Sequence, residues 1–204
     1  MSRAALISAI IIVLFGILVP LRKGADFLDP IILSGCLVLS LVIVAPAAAS
    51  TFSGGEPAEG RPALRRLAIV VVYAWGMGVA VLAAGVVTIN LHGAHHQPLA
   101  PRPGFVLAAL AWSAAATAFV GAASALVSRR YSASAARNAL RLVFLGLVLF
   151  LVVMSRFGGP NWLTSVHAWC TAAHLRMLFA ITTVVLAGAD ALLGFVLVRG
   201  ARPG

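Results

Sequence analysis

The sequence predicts an all-α polytopic integral membrane protein, a helical bundle of six transmembrane helices with both termini on the cytoplasmic side (N-in/C-in). Three observations predict it. Of the 204 residues, 62% are hydrophobic and 10% are charged, against about 45–50% and about 25% in soluble domains. The apolar residues are gathered into five long stretches and one shorter one. The basic residues fall between those stretches or within two or three residues of their ends. No soluble core could hide so much apolar surface, and little chain remains for a second unit, so residues 1–204 read as one transmembrane domain.

The spans follow from length and flanking charge. A helix crossing about 30 Å of hydrocarbon needs roughly 20 apolar residues. Span 1 covers 4–20 and closes at Pro20 and Arg22-Lys23. A basic residue ahead of an apolar run also suits a signal peptide. No small-residue cleavage site follows directly and a basic pair does, so a retained helix is expected. Span 2 covers 30–50. Asp29 is its expected N-cap and Pro30 its first helical residue, and Pro46 should kink its end. Span 3 covers 67–90, just after Arg65-Arg66. Span 4 covers 104–127 and ends before Arg129-Arg130. Span 5 covers 139–155 and ends at Arg156. Span 6 covers 175–198 and ends at Arg199.

Six crossings put both termini on one side. The N-terminus, the 51–66 and 128–141 loops and the C-terminus carry ten of the basic residues: Arg3, Arg61, Arg65, Arg66, Arg129, Arg130, Arg137, Arg141, Arg199 and Arg202. The other face carries five, Arg22, Lys23, Arg102, Arg156 and Arg176. Cytoplasmic loops hold the Lys/Arg excess, which orients the chain with its ends inside. The expected location is the plasma (inner) membrane of a bacterium. The net charge of +10 then serves orientation and contact with anionic lipid heads, and no nucleic-acid partner is expected. Cys36 and Cys170 are far apart in sequence and do not form a disulfide framework.

Small residues predict which spans are central. Span 4 carries Ala114, Ala118 and Ala122 at four-residue spacing, with Gly121 and Ala125 beside them. Span 3 carries Ala74, Gly78, Ala80 and Ala84. Such spacing lets helix backbones approach closely in lipid, which places spans 3 and 4 in the middle. Span 5, almost all bulky aliphatic, should face lipid.

One acid interrupts span 6. Asp190 lies within TVVLAGADALLGFVLVRG, residues 183–200. A charged carboxylate at the bilayer centre costs about 2.5–3.5 kcal/mol on insertion scales. Three arrangements relieve the cost: a bound proton, a wet cavity, or hydrogen bonds from Thr182, Thr183, Tyr73 or Trp75. The first two describe a proton or cation relay on a substrate path. The third describes a polar lock that fixes helix packing.

The five histidines all fall on the outer face in this topology: His92, His95 and His96 in LHGAHHQP, and His167 and His174 around Cys170. On a helix His167, Cys170 and His174 share one stripe. Two loops would thus offer a mixed nitrogen and sulfur site for Zn or Cu. The alternative is a set of interfacial histidines facing lipid heads. The 157–174 stretch, FGGPNWLTSVHAWCTAAH, is too polar to span and too apolar for an ordinary loop. It reads as a short interfacial or re-entrant helix before the last span, with Trp162 and Trp169 at headgroup level. No G-x-S-x-G, H-E-x-x-H or paired intramembrane acids occur, so no catalytic residue is assigned. No resident cofactor is expected apart from the Zn or Cu alternative.

Six spans with both ends inside, the polar 51–66 segment TFSGGEPAEGRPALRR after span 2, and the short helical stretch before span 6 together resemble the membrane subunit of an ABC-2-type exporter. The resemblance is one of topology. It implies that 51–66 contacts a separate ATPase subunit, since no G-x-x-x-x-G-K-[ST] loop is present in this chain. The expected function is a transport subunit, the permease part of a multi-subunit transporter. The alternatives are a non-catalytic structural subunit of a larger membrane complex, and a metal- or redox-handling protein using the outer histidines. Partners expected besides the lipid bilayer are a second copy or other membrane subunits.

Overall fold

The computed structural model describes residues 10–52, 61–92, 102–130, 138 and 170–199. Every regular element among them is helical. Helix α1 is described from residue 10, is wound as a π-helix over Ile12–Leu18, and ends as α-helix over Val19–Lys23. A 3-10 turn, Gly24–Leu28, leads to α2 (Pro30–Phe52). Then come α3 (Arg61–His92), α4 (Pro103–Arg130) and α5 (Ala172–Arg199). Over Ile32–Phe52, Pro62–His92, Pro103–Ser128 and Ala173–Val198 these helices are long and apolar enough to cross a membrane. Four such helices mark a multi-pass membrane protein. Span 5 (139–155), most of the 157–174 stretch and most of the 128–141 loop lie outside the described residues.

Local chemistry sets the helix starts. Asp29 precedes α2, and its carbonyl accepts the Leu33 N–H at 3.0 Å. Pro30, Pro62 and Pro103 sit in the first turns of α2, α3 and α4, where a missing N–H costs nothing. Helix α3 begins at Arg61 rather than 67. Ala63, Leu64, Arg65 and Arg66 all favour helix, so the helix continues beyond the apolar stretch. Helix α5 begins at Ala172 rather than 175 because Thr171 caps it. The Thr171 hydroxyl accepts the His174 N–H at 3.3 Å, and its carbonyl accepts the Leu175 N–H at 3.0 Å. Helix α2 continues through Pro46 to Phe52.

Helices α2, α3 and α4 alternate in direction, and α5 runs with α4. Ser40 of α2 meets Thr117 of α4, and four residues further along both helices Val44 meets Gly121. These two therefore run parallel. Helix α3 runs against them: its Gly78 rests on Cys36, Leu37 and Ser40, and its earlier Leu67 and Val71 reach Gly121. Helix α5 runs with α4. Arg176 lies beside Gly104, Phe179 contacts Phe105 and Trp112, and at the far end Leu197 joins Ala122 and Ala125. One end of the bundle thus gathers Arg22, Lys23, Asp29, His92, Arg102, His174 and Arg176. The other gathers Arg65, Arg66, Arg130 and Arg199.

Helices α3 and α4 are central, as their small residues predict. Of the small residues expected on the packed face of α4, Gly121, Ala122 and Ala125 are buried, and towards the start of the helix Ser113 and Thr117 take the places expected of Ala114 and Ala118. Ser113, Thr117, Gly121 and Ala125 are buried, whereas Ala114 and Ala118 are half-buried. Two glycines permit the closest approaches. A Cβ on Gly16 would stand 2.9 Å from the Ala84 Cβ, and one on Gly85 would run into the Phe27 ring.

Candidate functional site

Asp190 sits on α5, eight residues short of Val198 where the candidate span ends. At 1.5 Å per residue that is about 12 Å inside the apolar segment. Asp190 is half-buried, and its Oδ1 is fully enclosed without a hydrogen-bond partner. Among the described residues it is the one side-chain polar atom in that condition. Buried polar atoms are overwhelmingly paired, so such an exception calls for a reason.

The donors expected for it are engaged elsewhere. The Thr182 hydroxyl donates to the Leu178 carbonyl at 2.7 Å, and Thr183 donates to the Phe179 carbonyl at 2.6 Å. Both follow the habit of hydroxyls in apolar helices, which bond back one turn. Trp75 Nε1 donates to Ser113 Oγ at 3.0 Å. Tyr73 stands exposed on α3. The packing lock that the sequence allowed at Asp190 is therefore not formed by the threonines or Trp75.

The real polar lock lies between α2, α3 and α4. Ser40 Oγ and Thr117 Oγ1 are 2.7 Å apart and both residues are completely buried. Each also reaches a carbonyl of its own helix, Leu37 at 2.7 Å and Ser113 at 2.6 Å. The Ser113 hydroxyl donates to the Leu110 carbonyl at 2.9 Å and accepts from Trp75. At the α1–α3 contact, Thr88 Oγ1 donates to the Gly16 carbonyl at 3.1 Å, within the π-helical stretch. Every hydroxyl in these contacts is satisfied, as lipid demands. Sequence reasoning passed over this network. Its signal was the four-residue spacing of Ser113 and Thr117 beside Gly121, the same rule that was applied to the alanines.

The α4–α5 seam above Asp190 is aromatic. The Trp112 and Phe179 rings stack at 4.8 Å between centroids, and Phe105 tilts onto Phe179 at 6.0 Å. Of the histidine candidates, His92 ends α3, with Nδ1 3.2 Å from the Thr88 carbonyl. His174 lies in the first turn of α5, and Cys170 packs against the apolar cluster at that end. His95, His96 and His167 lie outside the described residues. Among the described residues no three His, Cys, Asp or Glu side chains gather as a metal-binding group.

No protein-family model, no curated protein and no solved structure matches this chain.

Proposed function

We propose that the chain is the six-span permease subunit of a membrane transporter, with both termini in the cytoplasm and Asp190 as the polar step met by a proton or small cation on its way across. The observation that carries this reading is the enclosed, unpartnered Oδ1 of Asp190. A packing lock repays the cost of an intramembrane acid through hydrogen bonds. Asp190 lacks one at Oδ1, while the bundle is already locked by Ser40, Thr117, Ser113 and Trp75. An acid kept in a span without that return is characteristic of an ion pathway.

The six-span arrangement is supported by the parallel course of α4 and α5. Consecutive crossings alternate in direction, so two parallel helices require one crossing between them, where the sequence places span 5. An even number of crossings puts both termini on one side, and the ten-to-five distribution of basic residues makes that side cytoplasmic. A bundle this slender would complete its pathway with a second copy or with other membrane subunits. The exporter resemblance adds a separate ATPase at 51–66, of which 53–60 lie outside the described residues.

The test is purification from native membranes followed by reconstitution into proteoliposomes containing a pH-sensitive dye. The expected result is collapse of an imposed proton or potassium gradient faster than in protein-free vesicles. A co-purifying ATPase identifies the exporter version. No flux together with a co-purifying enzyme complex overturns transport and makes the chain a structural subunit.

A further inference from the structure

We infer that the furrow between α4 and α5, at the end where both helices begin, binds one anionic phospholipid, with its phosphate held by Arg102 and Arg176. The Arg176 side chain lies along the first turn of α4. A Cβ on Gly104 would stand 3.4 Å from its Nη1 and 3.8 Å from its Cδ. A Cβ at 104 would thus make ordinary van der Waals contact with the arginine, which places the Arg176 side chain directly against the first turn of α4. Two residues earlier comes Arg102, exposed, with its backbone fixed by its carbonyl accepting the Phe105 and Val106 N–H groups at 3.1 Å each. Two arginines are thus brought to one corner of the bundle, and among the described residues neither has an ion-pair partner. The acids at this end, Asp26 and Asp29, belong to the turn and cap that join α1 to α2.

A phosphodiester carries one negative charge and acceptor oxygens that match the forked donors of two guanidinium groups, so two cations at one corner suit it. What lies below them favours a lipid over a soluble anion. Leu107 and Ala111 follow Gly104 on one stripe of α4, and Ala180 and Ala187 follow Arg176 on α5, all exposed. The alanines leave a shallow apolar track. Its charged head lies at the start of each candidate span, with Arg102 just before Pro103–Ser128 and Arg176 in the first turn of Ala173–Val198, where a span passes from water into hydrocarbon. An amphiphile with one negative phosphate and apolar chains fits that sequence of surfaces. The charged end of this site lies fourteen residues, about 21 Å, along α5 from Asp190, and the proposal does not depend on transport.

The experiment is native mass spectrometry of the full chain in detergent, titrated with phosphatidylglycerol or with phosphatidylcholine of the same chains. One phosphatidylglycerol should be retained per chain, with at least tenfold preference over phosphatidylcholine. Arg102→Gln/Arg176→Gln should weaken it by about ten- to thirtyfold. Arg22→Gln/Lys23→Gln, at the same end of the bundle, should leave it unchanged. Equal retention of the two lipids by the wild-type chain overturns the proposal, even if the double glutamine variant fails to fold. So does equal loss in the Arg22→Gln/Lys23→Gln control. Displacement of the lipid by millimolar inorganic phosphate would assign the corner to a soluble anion instead.

Discussion

Replacing Asp190 with asparagine is expected to abolish gradient-driven flux, by at least tenfold, while leaving the protein as stable as before or more so. The two halves of that result have one cause. Oδ1 is enclosed and unpartnered, so it contributes no hydrogen bond to the fold at that atom. An acid in the apolar segment costs about 2.5–3.5 kcal/mol on insertion scales, and asparagine relieves part of that cost while leucine relieves all of it. Asparagine keeps the shape and loses the exchangeable proton and the charge. Asp190→Ala and Asp190→Leu should be equally inactive, with Asp190→Leu raising the thermal midpoint by a few degrees. Proteoliposome flux and a thermal melt on the same preparations check this. Asparagine retaining full flux would show that ionisation does not matter. Alanine losing stability would show that the carboxylate is a packing element after all.

The largest structural effect is expected at Gly85. Phe27 is completely buried in the turn that links α1 to α2, with its ring against the bare backbone of Gly85. A side chain at 85 must occupy the place of the ring and also press on Pro20, whose Cγ would be 3.2 Å from the new Cβ. The ring cannot retreat without leaving its site. Gly85→Leu should therefore cost about 3–5 kcal/mol, the range seen when a buried Phe is lost from a core. Gly76, where a Cβ would meet nothing within 4 Å, should accept alanine with little effect. The pair at 85 and 27 should also be non-additive. Gly85→Ala should be costly in the native background and much milder in Phe27→Leu. Unfolding midpoints in detergent measure both.

The spans were legible in the sequence because lipid imposes a simple requirement of length and apolarity, and α2, α3, α4 and α5 meet it. Their first turns were less legible. The start of α3 is charged and that of α5 depends on a single threonine cap, so a hydropathy reading begins both helices late. The central position of α3 and α4 was legible from their small residues. On α4 that reading holds for Gly121, Ala122 and Ala125 and misses Ser113 and Thr117, because serine and threonine in lipid pack as small residues once their hydroxyls bond back to the helix. For the same reason Thr182 and Thr183 were available on paper to Asp190 and are not in the structure. Asp190 itself was visible at once, since an acid in an apolar run has no structural habit to hide behind. That its Oδ1 is enclosed and unpartnered depends on how α5 is packed in the bundle, which no spacing rule specifies. The arginine corner has the same character: Arg102 and Arg176 are far apart in the chain and come to one end of the α4–α5 seam only because those helices run parallel.

That parallel course carries the six-span topology, the sidedness and the arginine corner together. The most direct measurement is a pair of topology reporters, one fused after Arg130 and one after Arg199, each assayed for activity in the cytoplasm and outside it. The account predicts that both report the cytoplasm. Reporters on opposite sides of the membrane would contradict it.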